Sequence, residues 1–243
     1  MINLIKSEWM KQKGTFNKKI IIVMPIVALF VAYLLMGIAD ITMVQEYSYY
    51  MWYLLILPFV VTWIGASLVN SEKKYNFHGL FGIIQDKTKI WYSKIIVGIL
   101  ILASACGVFS LVTLVSGNVL GEFIPASANI VGIILLIITF AWQIPLSMFI
   151  CLKTNMFVAV LINMVGSMVV SVACALKSIW LIPYSIPTRI MCPIVKIHPN
   201  GIPLEANSIY LNSNVVVPGV IVAVLTFVIV TVITAKSFSK QEV

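Results

Sequence analysis

The sequence predicts an all-α polytopic membrane protein with six transmembrane helices, and three observations carry that reading. First, the 243-residue chain is 61% hydrophobic and only 10% charged, far from the makeup of a soluble domain. Second, its apolar residues gather into six runs, at about 20–39, 51–69, 95–116, 129–151, 156–176 and 215–235. At ~1.5 Å rise per residue, each run is long enough to cross a ~30 Å hydrocarbon core. Third, none of the sixteen basic residues falls inside a run.

The distribution of those bases orients the chain. Thirteen lie in the N-terminal segment, the second and fourth connections and the tail, against three in the fifth connection and none in the first and third. The positive-inside rule places the cation-rich set, and with it both termini, in the cytoplasm of a multi-pass cell-membrane protein. The net charge of +8 is then a topology signal with attraction to anionic lipid behind it, and nucleic acid is not an expected partner. No connection is long enough to fold separately, so residues 1–243 read as a single membrane domain. The first apolar run exceeds a signal-peptide core and lacks a small-residue cleavage site, so it is expected to remain as the first span. Four cysteines, Cys106, Cys151, Cys174 and Cys192, form no disulfide framework: the expected topology leaves Cys192 as the single external thiol.

Taken in order, residues 1–19 read as an interfacial helix, with Ile2, Ile5, Trp9 and Phe16 near one face and Lys6, Lys11 and Lys13 elsewhere. Pro25, Pro58 and Pro145 predict bends in spans one, two and four. Small residues four apart, at Ala103/Gly107, Ser167/Ser171/Ala175 and Gly219/Ala223, favour close helix packing inside the chain over a subunit interface. Spans four and five form a tight hairpin whose Lys153 belongs at the membrane surface. The 70–94 connection is polar at both ends with an apolar centre around Leu80, Phe81, Ile83 and Ile84. That pattern suits a short amphipathic segment offered to a partner or to the inner leaflet. The 177–214 connection holds five prolines. Its apolar first half, with Trp180, Pro183, Tyr184, Arg189 and Pro193, is too broken to span and reads as a re-entrant or interfacial element. Arg189 and Lys196 are expected to snorkel to outer-leaflet phosphates.

The chemistry of the spans is sparse. With those boundaries no span contains an ionisable side chain of the Asp, Glu, Lys, Arg or His type, which argues against a proton-driven antiporter. GxxxxGK[ST], HExxH and GxSxG are all missing from the sequence, so no nucleotide cradle, zinc-protease pair or serine elbow is expected. His78 and His198 fall on opposite sides of the expected membrane, which excludes a shared metal site. Asn163 and Gln143 are the strongest polar groups within spans, and helix-to-helix hydrogen bonding is their expected role. No catalytic residue, cofactor or metal is expected.

The order of these elements, with MINLIKSEWMKQKGTFNKKI at the start, NSEKKYNFHGLF then KIWYSK in the second connection, and IPYSIPTRIMCPIVKIHPNGIPLE before the last span, resembles the membrane subunit of a type-2 ABC exporter. More closely it resembles the permeases of lantibiotic self-immunity transporters, the E- and G-type subunits of low-GC Gram-positive bacteria. The resemblance implies a half-transporter that pairs with a second permease, a sister chain or another copy of itself, and with a separate ABC ATPase. It implies a coupling helix around Glu72–Lys89, with Glu72, Leu80, Phe81, Ile83, Ile84 and Lys87 facing the ATPase. It further implies a cationic amphipathic peptide as cargo, taken from the lipid bilayer, so that the chain confers bacteriocin resistance. Two other classes fit the sequence: a non-transport anchor or sensor of a peptide-resistance system, and an ion-coupled secondary transporter.

Overall fold

The structure, a computed structural model, describes residues 1–36, 43–73, 86–120 and 124–240. Those residues are overwhelmingly helical, with an isolated antiparallel bridge between Ile197 and Pro203. Helix α1 (Ile2–Lys11) lies outside the spans, and Gly14 (φ +83°) turns the chain into the first span, α2 (Phe16–Met36). The second span is α3 (Val44–Met51) and α4 (Leu57–Lys73), joined by a π-helical turn at Trp52–Ile56. The third is α5 (Lys87–Leu120); the fourth is α6 (Ala126–Phe140) and α7 (Gln143–Lys153). The fifth is α8 (Met156–Val165) and α9 (Ser171–Cys174), joined by a π turn at Gly166–Val170. A short apolar helix, α10 (Ile186–Val195), precedes the sixth span, α11 (Val216–Ser239). Among the described residues six helical stretches are long and apolar enough to cross a membrane.

The helices outrun the apolar stretches that announced them. The third begins at Lys87 and the second ends at Lys73, so the connection expected over 70–94 is narrower, and Lys94 lies inside a helix. The reason is tertiary: Lys73 and Lys94 have carbonyl or carboxylate partners from distant parts of the chain, so the helix carries them without leaving a charge unpaired. Similarly, the expected 1–19 segment divides into α1 and the first turn of α2.

Two spans form the centre of the bundle. The second and fourth have 78% and 67% of their most apolar window buried, against 22%, 28% and 17% for the first, fifth and sixth. The outer helices turn Phe30, Leu34, Phe157, Val169 and Ile229 outward, as lipid-facing surfaces do. At the central contact α4 packs on α7, and Gly65 makes the approach possible. A Cβ on Gly65 would stand 2.7 Å from the Ile144 carbonyl oxygen and 2.9 Å from Ser147 Cβ. Of the three small-residue stripes, Gly219/Ala223 packs against Ile186 and Ile190 of α10, and Ser167/Ser171/Ala175 is buried. Gly107 meets nothing within 4 Å.

Two of the three prolines stand beside irregularities of their helices. Pro58 follows the π turn of the second span, where the Leu57 N–H reaches back to the Trp52 carbonyl; a proline has no N–H to complete the ordinary ladder. Pro145 follows the break at Ala141–Trp142, where Ile144 N–H bonds to the Ala141 carbonyl in the tighter pattern. Pro25 is accommodated within a continuous α2.

The central glycine contact yields a paired test. Gly65→Ala is expected to cost about 1–3 kcal/mol through overpacking, whereas Gly107→Ala is expected to be neutral or stabilising by up to about 1 kcal/mol from helix propensity. Thermal unfolding of the two variants in mild detergent checks the contrast.

Candidate coupling site

At the end of the bundle where the chain begins, four charged side chains close into a ring. Glu8 of α1 places one carboxylate oxygen 2.6 Å from Lys11 Nζ and the other 2.6 Å from Lys94 Nζ. Glu72, near the end of α4, does the same, at 2.6 Å from Lys11 and 2.7 Å from Lys94. Each lysine therefore bridges both carboxylates, and the ring is neutral. Lys94 is 1% exposed and Glu8 5%, and the Lys94 ammonium also donates to the Leu68 carbonyl at 3.0 Å. Beside the ring, Asn17 donates to Gln12 Oε1 and to Ser67 Oγ, both at 2.7 Å, joining the same helices. These groups line a cleft of about 100 Å³.

Sequence position explains why the ring can form. Glu8 and Lys11 stand three residues apart, neighbours on one helix face, and Glu8 is the residue α1 buries against the bundle, followed by the buried Gln12 at its end. Ile2, Trp9 and Met10 stay exposed, whereas Ile5 packs against the hydrophobic core beside the buried Glu8. Burial opposes the Lys11 charge, but hydrogen bonds to Glu72 and Glu8 outweigh it and raise its pKa above the ordinary 10.5.

The helix ends on either side of residues 74–85 are held from two more directions. Lys73 donates to the carbonyls of Cys151 (2.9 Å) and Thr154 (2.5 Å) at the turn between the fourth and fifth spans. In that turn Asn155 caps α8 by accepting from Val158 N–H at 2.9 Å, and Lys153 is exposed. Trp91, fully buried, donates through Nε1 to Thr234 Oγ1 at 3.0 Å and stacks on Phe238 at 4.7 Å, tying α5 to the last span. Lys89 pairs with Asp86 at 3.0 Å, and its hydrogen bond is the leading cause of the lowered Asp86 pKa.

Of the residues assigned from the sequence to ATPase coupling, Glu72 sits in the ring and Lys87 opens α5. Leu80, Phe81, Ile83 and Ile84 lie outside the described residues. Sequence reasoning missed Glu8, Lys94, Lys73 and Trp91. The spacing of Glu8 and Lys11 was a visible signal; the pairings of Glu8 with Lys94 and of Lys11 with Glu72 span 86 and 61 residues and left none.

At the opposite end, the residues singled out between the last two spans do not converge on one place. Trp180 accepts from Ser185 Oγ through its carbonyl at 3.2 Å, and Pro183 and Pro193 are half-buried. Tyr184 reaches inward and donates to Asn163 Oδ1 at 3.1 Å. Arg189 does not reach out to lipid phosphates: it is 7% exposed, donates to the Tyr210 carbonyl at 3.0 Å and stands 5.3 Å over the Tyr210 ring. A helix that buries its other polar neighbours gives a guanidinium a carbonyl and a π face more readily than water. Lys196, in left-handed conformation (φ 57°), is exposed. Gln45, Tyr49 and Asn129 cross-link spans two, three and four at this end. Among the described residues no group of three or more His, Cys, Asp or Glu is placed to hold a metal ion.

Lys94→Met leaves the buried Glu8 and half-buried Glu72 carboxylates with Lys11 alone, and is expected to cost about 3–5 kcal/mol, while Lys89→Ala, at an exposed pair, is expected to leave stability unchanged. Denaturation in detergent separates the two. Because the Lys11 pKa is raised on folding, its contribution is complete at neutral pH and is lost as pH rises through its folded-state value above 10.5.

The four side chains of the charged ring, Glu8, Lys11, Glu72 and Lys94, lie within the part of the chain that matches a known family. Residues 4–170, more than half of the chain, match the family described as ABC-2 family transporter protein. No curated protein and no solved structure gives a significant match. Such permeases are the membrane components of ABC transporters and normally work with a separate ATPase. The chain belongs to the ABC-2 transporter family.

Proposed function

We propose that the chain is the membrane half of an exporter driven by a separate ATP-binding subunit that docks at the segment between the second and third spans. The observation that supports this most is the charged ring. It clamps the end of α4 and the start of α5, the two helices that flank residues 74–85, to α1. A force applied to that segment meets no loose hinge at Lys94 and is delivered to helices already tied to the first, fourth and last spans. Glu72 then serves as a strut of the coupling surface, with Leu80, Phe81, Ile83, Ile84 and Lys87 toward the ATPase.

In this reading the cation-rich end lies in the cytoplasm of a Gram-positive cell, and a second permease, a sister chain or another copy, completes the pathway. The cargo is a cationic amphipathic peptide expelled from the outer leaflet, which confers self-immunity to a lantibiotic. The lipid-exposed apolar surfaces suit an amphiphile that enters sideways from the bilayer.

Purification in mild detergent from cells that also express the cognate ATPase is expected to recover that ATPase with the chain. Phe81→Asp is expected to abolish both copurification and peptide resistance while leaving the amount of inserted chain unchanged. Full resistance in a strain lacking the ATPase would contradict the proposal.

A further inference from the structure

The interior holds polar groups that the fold leaves unsatisfied at one level of the fourth and fifth spans. The two helices run antiparallel, with Asn163 donating to Ser147 Oγ at 3.2 Å. Gln143 is one turn from Ser147 and Ser167 one turn from Asn163, in the same direction, so that register brings Gln143 and Ser167 to one depth. Gln143 is 0% exposed and Ser167 3%. Among the described residues neither amide atom of Gln143, nor the Ser167 hydroxyl, nor the indole N–H of the adjacent Trp142, has a hydrogen-bond partner. Buried polar groups are ordinarily paired, and an unpaired carboxamide is destabilising where an apolar residue would fit. Asn163 follows the ordinary rule; Gln143 departs from it.

The backbone is also irregular here. The fourth span is interrupted at Ala141–Trp142 and the fifth by the π turn that begins at Gly166; such turns recur at functional positions. Over this level lies the segment that follows the fifth span. Tyr184 lays its ring against Gly166, where an added Cβ would come within 2.6 Å of the ring, and packs edge-on to Trp142 at 4.8 Å. Two hydrogen bonds hold the segment down, Tyr184 to Asn163 on one side of the unpaired level and Thr188 with Ser171 on the other.

We infer that Trp142, Gln143 and Ser167 form a closed binding site for the uncharged amide groups of an extended peptide, with Tyr184–Thr188 as its cover. A carboxamide offers a donor and an acceptor side by side, which matches the N–H and C=O of a peptide main chain. The hydroxyl can serve either role, and the indole N–H can only donate, to a carbonyl. None of the three carries charge, so the match is to amides rather than to the cationic side chains of a peptide. The ligand class rests on the reading of the chain as a peptide exporter subunit; the site and its cover do not.

The test uses the full chain in native membrane vesicles without an ATPase, so a failure of the exporter reading leaves it intact. Ser167→Cys, close to isosteric, is exposed to the water-soluble thiol reagent 2-aminoethyl methanethiosulfonate, with the parent chain as baseline. In the closed state it is expected to label no faster than the parent. Adding Tyr184→Phe and Thr188→Val is expected to raise the rate at least about tenfold, since a thiol must meet water to ionise and react. An excess of N-acetyl-tetra-alanine amide is expected to slow that labelling, and free lysine is not. An unchanged rate in the unlatched variant overturns the cover; labelling that the peptide amide does not slow overturns the ligand class. Independently, Gln143→Leu is expected to raise the thermal midpoint by about 2–4 °C. A lowered midpoint would mean that the carboxamide is a structural tie and would overturn the site.

Discussion

The ammonium of Lys94 sits between two carboxylates at the foot of the third span, and the arrangement of the cation-rich end depends on it. A lysine that is 1% exposed is costly to bury without partners, because the cost of taking it from water exceeds what a single hydrogen bond returns. Glu8 and Glu72 are in turn too buried to be left alone, and Lys11 closes the ring from the solvent side. The buried pair, Glu8 and Lys94, is tolerated because each has the other and a second ring member as partner. The consequence is geometrical. Helix α1, the end of the second span and the start of the third form one unit, and two further ties, through Lys73 and Trp91, extend it to other helices at that end.

The middle of the bundle contrasts with that end. Pro58 and Pro145 remove hydrogen bonds from the two central helices, and the fifth span widens at Gly166–Val170 without a proline of its own. There the Tyr184 ring occupies the space that a side chain on residue 166 would need. The ion pairs of the cation-rich end therefore contrast with the irregular backbone at the middle of the second, fourth and fifth spans.

Much of this was legible in the sequence because the bilayer constrains it so strongly. Six apolar runs, the helix irregularities beside Pro58 and Pro145 and the tight turn at Lys153–Asn155 all follow from local composition. What stayed hidden was long-range pairing. A lysine at the edge of an apolar run looks like a loop residue until its carboxylates arrive from residues 8 and 72; hence the third helix was drawn too short. Arg189 looked like a snorkelling cation because its partner, the carbonyl and ring of Tyr210, lies across a proline-rich turn. Charge counting also treats Glu8 as one acid among five N-terminal lysines, although it is the most buried residue of its helix. Net charge carries topology, whereas position decides which single charge is structural.

The central claim is that Glu8 and Lys94 act as parts of one ring that couples α1 to the third span. A double-mutant cycle with Glu8→Gln and Lys94→Gln, read as unfolding free energy in detergent and as peptide protection in cells, tests it most directly. The account predicts strong non-additivity in both readouts, with the double variant little worse than Lys94→Gln alone. Losses that simply add would contradict it, because each side chain would then be acting through separate partners.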